Sequence, residues 1–201
     1  MKLKIIMAAA VIIIGAAALT KIRAGEAPSG GPEFTKDGQL VFPADYREWI
    51  YLSSGLGMTY GPVRDQAPND SAPFDNVFVN RDAYRRFVET GTWPDKTIFM
   101  LEVRSSAGKG SINNGGHYQS GFLAVEAEVK DSSRFPGKWA FFGFGKSTNP
   151  AKQIPTTASC YACHGTNGAV DNTFVQFYPT LLEVARKKGT LTPSYLTNET
   201  H

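Results

Sequence analysis

The chain has few side chains of the kinds that hold metal ions or form disulfides. Its 201 residues include two cysteines and three histidines, too few for a framework of several disulfides. A zinc site needs four ligands, and beyond the cysteines and the adjacent His164 only His117 and His201 remain. Long apolar runs are also missing. The longest, Ile5–Leu19, has about 15 residues, whereas a membrane-spanning helix needs roughly 20.

The N-terminus has the pattern of an export signal. Lys2 and Lys4 precede the apolar run, and a segment rich in glycine and proline, Gly25–Pro32, follows it. The order basic, apolar, polar is typical of a secretory signal peptide. We predict that residues 1–24 are removed by cleavage after Ala24 and that the mature protein is periplasmic. An uncleaved membrane anchor is the alternative.

The positive charge of the chain belongs to this signal. The whole sequence has 21 Lys and Arg against 18 Asp and Glu. Four of the basic residues lie within residues 1–24, which leaves 17 basic against 18 acidic residues in the mature chain. Phosphate binding needs a basic surface, so no nucleic-acid partner is expected. We assign residues 25–35 to a flexible mature N-terminus and 36–201 to a single domain.

Both cysteines stand beside a histidine, in the segment Cys160-Tyr161-Ala162-Cys163-His164. This C-x-x-C-H spacing is the attachment pattern of haem c, because two thiols three residues apart reach two vinyl groups on one porphyrin edge. A disulfide or a thioredoxin-like redox pair is the alternative, although so short a disulfide restrains little of the unfolded chain. The motif predicts one covalent haem c on Cys160 and Cys163, with His164 as the proximal iron ligand.

No residue stands out as a second axial ligand to the iron. The 37 residues after His164 contain no methionine. Upstream, Met58 lies in a stretch rich in glycine and serine, Met100 lies in an apolar strand, and His117 lies in a glycine-rich loop. Methionine is a common gap-filler in protein cores, so packing explains both methionines. The sequence therefore favours a five-coordinate iron that binds small molecules.

The hydrophobic pattern predicts an α+β fold. Strands are expected over Asn76–Val79, Thr97–Arg104, Tyr118–Val129 and Trp139–Phe144, where β-branched, aromatic and alternating residues are frequent. Helical spacing is expected over Arg81–Glu89 and in a C-terminal helix over Phe174–Lys188. The segment Tyr46–Leu52 suits either a helical turn or a strand. Together these elements predict a mostly antiparallel sheet of four or five strands with flanking helices, rather than an all-helical haem bundle.

Four blocks of sequence resemble cytochrome P-460 and its relative cytochrome c′-beta. The blocks are Asn76–Val79, Thr90–Asp95 with Leu101-Glu102, Val129–Asp131 with Trp139–Phe142, and Cys160–His164 with Phe174–Pro179. The resemblance covers about residues 36–188. It implies a mostly antiparallel β fold, a homodimer and a five-coordinate haem c. It also implies that the protein binds or transforms small nitrogen species such as nitric oxide and hydroxylamine, with a redox partner protein.

One position separates the two branches of this family. The hydroxylamine-oxidising branch has a lysine cross-linked to the haem, just before the glutamate that matches Glu102. Here that residue is Leu101, and the nearest lysines, Lys96 and Lys109, flank the strand. The resemblance therefore implies a nitric-oxide-binding protein of the c′-beta type. An oxidoreductase acting on hydroxylamine or nitric oxide is the second hypothesis, and a plain electron carrier with Met58 or His117 as sixth ligand is the third.

The resemblance also suggests the residues on the ligand-binding side of the haem. Glu126 matches a pocket carboxylate that relays protons in the cross-linked branch. Its alternative is a solvent-facing strand residue, because Glu128 points to the same side in the alternation. We expect an apolar distal wall that includes Leu101, with Phe74 or Phe78. Such a wall offers no hydrogen bond to bound oxygen and should favour nitric oxide and carbon monoxide.

Overall fold

The fold is a five-stranded antiparallel sheet with helices on one side. The computed structural model describes residues 30–59 and 72–199. The strands are β1 (Ile50–Leu56), β2 (Phe74–Val79), β3 (Ile98–Ala107), β4 (Tyr118–Lys130) and β5 (Trp139–Gly145). The helices are α1 (Arg81–Thr90), α2 (Ser159–Asn167), α3 (Pro179–Lys188) and α4 (Pro193–Glu199), and short 3₁₀ turns cover Tyr46–Glu48 and Val175–Phe177. This arrangement confirms the predicted α+β class.

The sheet is a meander in which each strand pairs with its neighbours in sequence, in the order β1-β2-β3-β4-β5. All four pairings are antiparallel. Side chains alternate between two faces. One face packs against the N-terminal segment of the described chain, and we call it the N-terminal face; Ile98, Met100 and Val125 lie on it. The opposite face packs against α1 and α3, and we call it the helical face; Phe99 and Trp139 lie on it.

The N-terminal face carries a buried ionic cluster around Glu102. The side chain of Glu102 is 4% exposed and accepts hydrogen bonds from the hydroxyl of Tyr46 and the guanidinium groups of Arg47 and Arg104. Burial by itself would raise the pKa of this carboxyl. The hydrogen bonds from Arg104, Tyr46 and Arg47 outweigh it, so the pKa of Glu102 lies below its ordinary value. The carboxylate is therefore fully compensated.

Helix α1 packs on the helical face through Ala83 and Phe87, which are one turn apart and buried. Phe87 contacts Trp93, with ring centroids 4.1 Å apart. The helix ends at Gly91, whose φ of 77° is the left-handed conformation that glycine adopts without strain. The carbonyl of Gly91 accepts a hydrogen bond from Thr190 Oγ1 at 2.7 Å. This contact joins α1 to the segment after α3.

Two predictions about the chain ends have different outcomes. The expected signal peptide, residues 1–24, lies outside the described residues and stays a prediction. Within the described ranges, no helix is long and apolar enough to cross a membrane. The predicted flexible segment 25–35 is wrong in its last part, because Phe34 pairs with Leu40 and packs against Phe135 and Phe142. The packed domain thus begins before residue 36.

Candidate haem site

The cysteines and histidine of the motif lie on helix α2. Cys160 and Cys163 are three residues apart, nearly one helical turn, so both thiols lie on the same side of the helix. Both cysteines are half-buried and neither is in a disulfide. Burial raises the pKa of the Cys160 thiol, as expected for a group facing an apolar surface. Both thiols are therefore free in the described structure.

The imidazole of His164 is held on both sides by aromatic rings. Its centroid lies 4.6 Å from that of Phe141 and 4.3 Å from that of Phe174. Its Nδ1 atom lies 2.9 Å from the carbonyl oxygen of Asn172, and donation from Nδ1 to that oxygen leaves Nε2 as the nitrogen with a free lone pair. Metal-bound histidines in proteins have this arrangement, in which the second ring nitrogen donates to a carbonyl or carboxylate.

A tight loop presents the Asn172 carbonyl to His164. Val170 and Thr173 are bridged across it, and Thr173 Oγ1 donates a hydrogen bond of 2.7 Å to the carbonyl of Val170. The same hydroxyl accepts a hydrogen bond of 2.8 Å from Trp93 Nε1. Asp171 adopts a left-handed conformation, with φ of 55°, and its carboxylate pairs with Lys130. The loop is thereby fixed to the core of the helical face.

A cavity of about 1110 Å³ opens between helix α2 and the helical face of the sheet. Sheet residues that line it include Val77, Phe99 and Leu101, while Ile154, Phe174 and Tyr178 line it from the segments around α2. The structure brings five of the predicted site residues together here: Leu101, Glu126, Cys160, Cys163 and His164. Within the sheet, Leu101 lies directly opposite Val77 on one side and Glu126 on the other.

The predicted aromatic part of the distal wall is wrong. Neither Phe74 nor Phe78 is among the residues that line the cavity. Asp75 and Val77 of β2 point into it, and because side chains alternate along a strand, their even-numbered neighbours point away. Phe78 packs instead against Tyr46 and Tyr51, with ring centroids 5.6 Å away in each case. The wall contributed by β2 is therefore Val77, next to the carboxylate of Asp75.

Among the described residues, three carboxylates line the cavity: Asp75, Glu126 and Glu128. Burial raises the pKa of the Asp75 carboxyl, and the negative charge of Glu126 raises it further. Among the described lining residues there is no lysine or arginine. Glu126 and Glu128 lie on the same side of β4, and that side faces the cavity. Glu126 is also exposed to solvent, as its alternative interpretation expected, whereas Glu128 is half-buried.

Glu128 lies next to the imidazole of His164. Its Oε1 atom is 3.4 Å from Nδ1, and within the described chain that oxygen makes no hydrogen bond. Burial raises the pKa of the Glu128 carboxyl. Burial would lower the pKa of His164, but the neighbouring Glu128 carboxylate raises it above its ordinary value. Sequence reasoning gave Glu128 no site role, because two strand glutamates with the same alternation look alike.

The three candidate sixth ligands lie in different places. Met58 lines the cavity and its side chain packs on Gly55, where an added Cβ would lie 2.2 Å from the methionine sulfur. Met100 is fully buried on the N-terminal face, and His117 is outside the cavity in the loop between β3 and β4. Of these three side chains, only Met58 lines the cavity beside His164.

Helix α4 was not predicted and adds to the rim of the cavity. Tyr195 and Asn198 from this helix line it, together with the polar side chains Thr166, Asn167 and Gln176. The signal for the helix was weak: Pro193 suits a first helical position, but the following residues have little apolar periodicity. This polar rim stands opposite the apolar sheet wall.

Comparison with known families decides the class of the chain. The family model for cytochrome P460 matches residues 43–175, more than half of the sequence. The chain belongs to the cytochrome P460 family. The matched range contains the sheet, helix α2 and the loop that presents the Asn172 carbonyl to His164, whereas α3 and α4 follow it. A comparison with curated proteins finds no match.

Membership of the cytochrome P460 family implies a haem cofactor, and the donor set of this chain suits one. His164 has its Nδ1 engaged by the Asn172 carbonyl, which leaves Nε2 for a metal. The cavity beside it has an apolar wall and two thiols on its rim. In the described ranges, no cluster of three or more His, Cys, Asp or Glu side chains could hold a metal ion by itself.

Proposed function

We propose that the protein is an exported mono-haem c protein that binds nitric oxide or a related small nitrogen species at a five-coordinate iron. Cys160 and Cys163 would hold the haem through thioether bonds, and His164 would be the proximal ligand. The iron of the bound haem supplies one open coordination position. The observation that carries the proposal is that Leu101, in the sheet wall, lines the same cavity as the C-x-x-C-H helix.

The apolar part of the wall supports a preference for diatomic gases. Val77, Phe99 and Leu101 offer no hydrogen-bond donor. Bound oxygen depends on such a donor more than nitric oxide or carbon monoxide does, so this wall favours the latter two.

The charges around the cavity support a neutral or cationic ligand. Asp75, Glu126 and Glu128 are all acidic, and their field repels anions and attracts cations. Nitric oxide is neutral and hydroxylamine is neutral or cationic, whereas nitrite and azide are anions. The acidic lining thus agrees with a reduced nitrogen ligand.

An oxidoreductase acting on hydroxylamine or nitric oxide is the second candidate. Glu126 favours it, because this carboxylate lies in the cavity directly opposite Leu101, where it could accept a proton from a bound ligand. Leu101 argues against this function, because a leucine cannot form the cross-link to the haem that the family resemblance associates with hydroxylamine oxidation. The variant Leu101→Lys tests this relation. We expect it to acquire the absorption band that names the family, and wild type to lack it.

The electron-carrier alternative now depends on Met58 alone among the three candidate ligands. Replacing Met58 by leucine keeps the volume and removes the sulfur. If the sulfur binds the iron, the ferrous spectrum changes from six- to five-coordinate on this substitution. We expect the wild-type and Met58→Leu spectra to be the same.

The decisive experiment is an optical spectrum of the reduced holoprotein, alone and after adding carbon monoxide or nitric oxide. We expect a five-coordinate high-spin spectrum that changes on adding either gas. A six-coordinate spectrum before any ligand is added would contradict the proposal. Covalent attachment is checked separately: haem should stay with the denatured wild-type chain and be lost from the Cys160→Ser/Cys163→Ser double variant.

Export and assembly complete the proposal. The N-terminal pattern of basic, apolar and polar segments supports a periplasmic location, and mass spectrometry of the mature N-terminus tests cleavage after Ala24. The family resemblance supports a homodimer and an external redox partner protein. Sedimentation of the holoprotein tests the dimer directly.

A further inference from the structure

The Nδ1–H group of His164 lies near two acceptors. The carbonyl oxygen of Asn172 is 2.9 Å from Nδ1, and the Oε1 atom of Glu128 is 3.4 Å from it. The first distance is an ordinary hydrogen bond. The second is a close contact and not a hydrogen bond. Glu128 is thus the charged neighbour of the proposed iron ligand, beside the hydrogen bond to Asn172.

The fold holds Glu128 in this position. The residue lies in β4 directly between Phe99 of β3 and Phe141 of β5, and Phe141 also packs against the His164 ring. The side chain of Glu128 is only 11% exposed. Its charge is therefore close to the imidazole and weakly screened by water.

No ion pair between Glu128 and a lysine or arginine is seen in the described part of the chain. Its ion-pair contact there is with His164, and its Oε1 atom has no hydrogen bond. A buried carboxylate without a partner destabilises a fold. Next to the imidazole of His164, this carboxylate can change the electron donation of the ring, which a distant, solvent-exposed glutamate could not do.

We propose that Glu128 is a positioning residue for the proximal ligand: its carboxylate lies 3.4 Å from Nδ1 of His164, next to the hydrogen bond between Nδ1 and the Asn172 carbonyl, and increases the electron donation of the imidazole to iron. This inference rests on the proposed function, because it requires His164 as the iron ligand. A carboxylate partner makes a ligating imidazole more basic. A more basic axial ligand, next to a buried negative charge, stabilises ferric over ferrous iron and lowers the reduction potential.

The test compares two glutamine variants of the holoprotein. Glu128→Gln keeps the size of the side chain and removes its charge. Glu126→Gln makes the same change two residues away, on the same side of β4. Resonance Raman spectra of the ferrous protein give the stretching frequency of the iron–histidine bond, and a mediated redox titration gives the midpoint potential.

We expect Glu128→Gln to lower the iron–histidine frequency and raise the midpoint potential. We expect Glu126→Gln to leave the frequency at the wild-type value and to raise the potential less. Equal frequencies in wild type and Glu128→Gln would overturn the proposal. So would equal shifts of potential in the two variants, since these would reflect only the charge of the cavity.

A third variant distinguishes the contact with His164 from the charge of the carboxylate. It also keeps the test decisive if Glu128→Gln does not fold. Glu128→Asp keeps the charge but withdraws the carboxylate by one methylene. We expect its iron–histidine frequency to fall while its potential stays nearer to wild type, and an unchanged frequency would overturn the proposed contact. A six-coordinate wild-type protein would contradict the proposed function alone, because the potentials of the glutamine variants would still decide the role of Glu128.

Discussion

Two carboxylates are buried in the sheet, one on each face, and their surroundings are opposite. Glu102 on the N-terminal face accepts hydrogen bonds from Tyr46, Arg47 and Arg104, and its pKa lies below the ordinary value. Glu128 on the helical face has His164 beside it, and burial raises its pKa. The same chemical group therefore has several partners and a lowered pKa on one face, and a single neighbour and a raised pKa on the other.

The difference separates a structural carboxylate from one placed for chemistry. A buried charge with several partners fixes the elements that supply them, here the segment of Tyr46 and Arg47 against β3. A buried charge beside a single histidine fixes little and instead alters that histidine. Four predictions test the comparison, from the largest expected effect to the smallest.

The first prediction concerns the stability of the two glutamine variants. Glu102→Gln should lower the free energy of unfolding by about 3 kcal/mol, because it leaves Arg104 partly buried without its anionic partner. Glu128→Gln should leave it unchanged or raise it by about 1 kcal/mol, since it removes a buried charge that has no strong ion pair. Urea denaturation of both holoproteins measures the values. Equal losses would remove the distinction between the faces.

The second prediction is the pH dependence of the Glu102 contribution. The folded-state pKa of this carboxyl lies below its ordinary value of 4.5, so the ionised group stabilises the fold above that pH. The contribution is lost as the pH falls through the folded-state pKa. The difference in unfolding free energy between wild type and Glu102→Gln should stay constant from about pH 8 to pH 6 and shrink below the ordinary pKa. A difference that grows in acid would contradict the assignment.

The third prediction concerns the loop that carries the Asn172 carbonyl. Thr173→Val leaves Trp93 Nε1 and the Val170 carbonyl without their hydroxyl partner and should destabilise the protein by about 1–2 kcal/mol. Thermal or urea unfolding measures this loss.

The matched control for the loop is Thr190→Val. It removes the hydroxyl that donates to the Gly91 carbonyl, at the C-terminal end of α1. We expect the free energy of unfolding to fall by about 1 kcal/mol and the iron–histidine frequency to stay the same. Thr173→Val should change both the stability and the frequency. If Thr190→Val shifted the frequency equally, the loop would have no special relation to His164.

The fourth prediction concerns the charge of the ligand. Asp75→Asn should raise the affinity of the ferric protein for azide about threefold, because one of the negative charges that repel the anion is lost. Binding of imidazole, which is neutral, should change less. Spectroscopic titration gives both constants. Equal changes for both ligands would show that pocket shape rather than charge had altered.

Much of the fold could be predicted from the sequence, because local pattern decides it. Strand β4 was expected over Tyr118–Val129 and ends one residue later, and α1 was expected to end before Gly91, as it does. In these segments apolar periodicity and a terminal glycine agree. Helix α3 was expected to begin at Phe174, but it begins at Pro179 after a 3₁₀ turn, since proline suits the first helical turn and not the interior.

The site could be predicted from the sequence only where a short motif is specific for one kind of chemistry. The spacing of Cys160, Cys163 and His164 carries their role within five residues. The distal residues depend on which way a strand faces, and one residue of register exchanges the two sides. Phe74 and Phe78 were placed on the wrong side of β2 for this reason, while Asp75 and Val77 were missed. The contact between Glu128 and His164 joins residues 36 positions apart in sequence, and no local pattern encodes it.

The consecutive order of the strands has a consequence for the sequence of assembly. Every strand pairs with its neighbour in the chain, and helix α2 follows all five. The five strands can therefore pair in chain order before the segment that carries the two cysteines is added. Helix α2 closes over a wall whose strands all precede it in the chain, so the surface that faces the thiols can form without them.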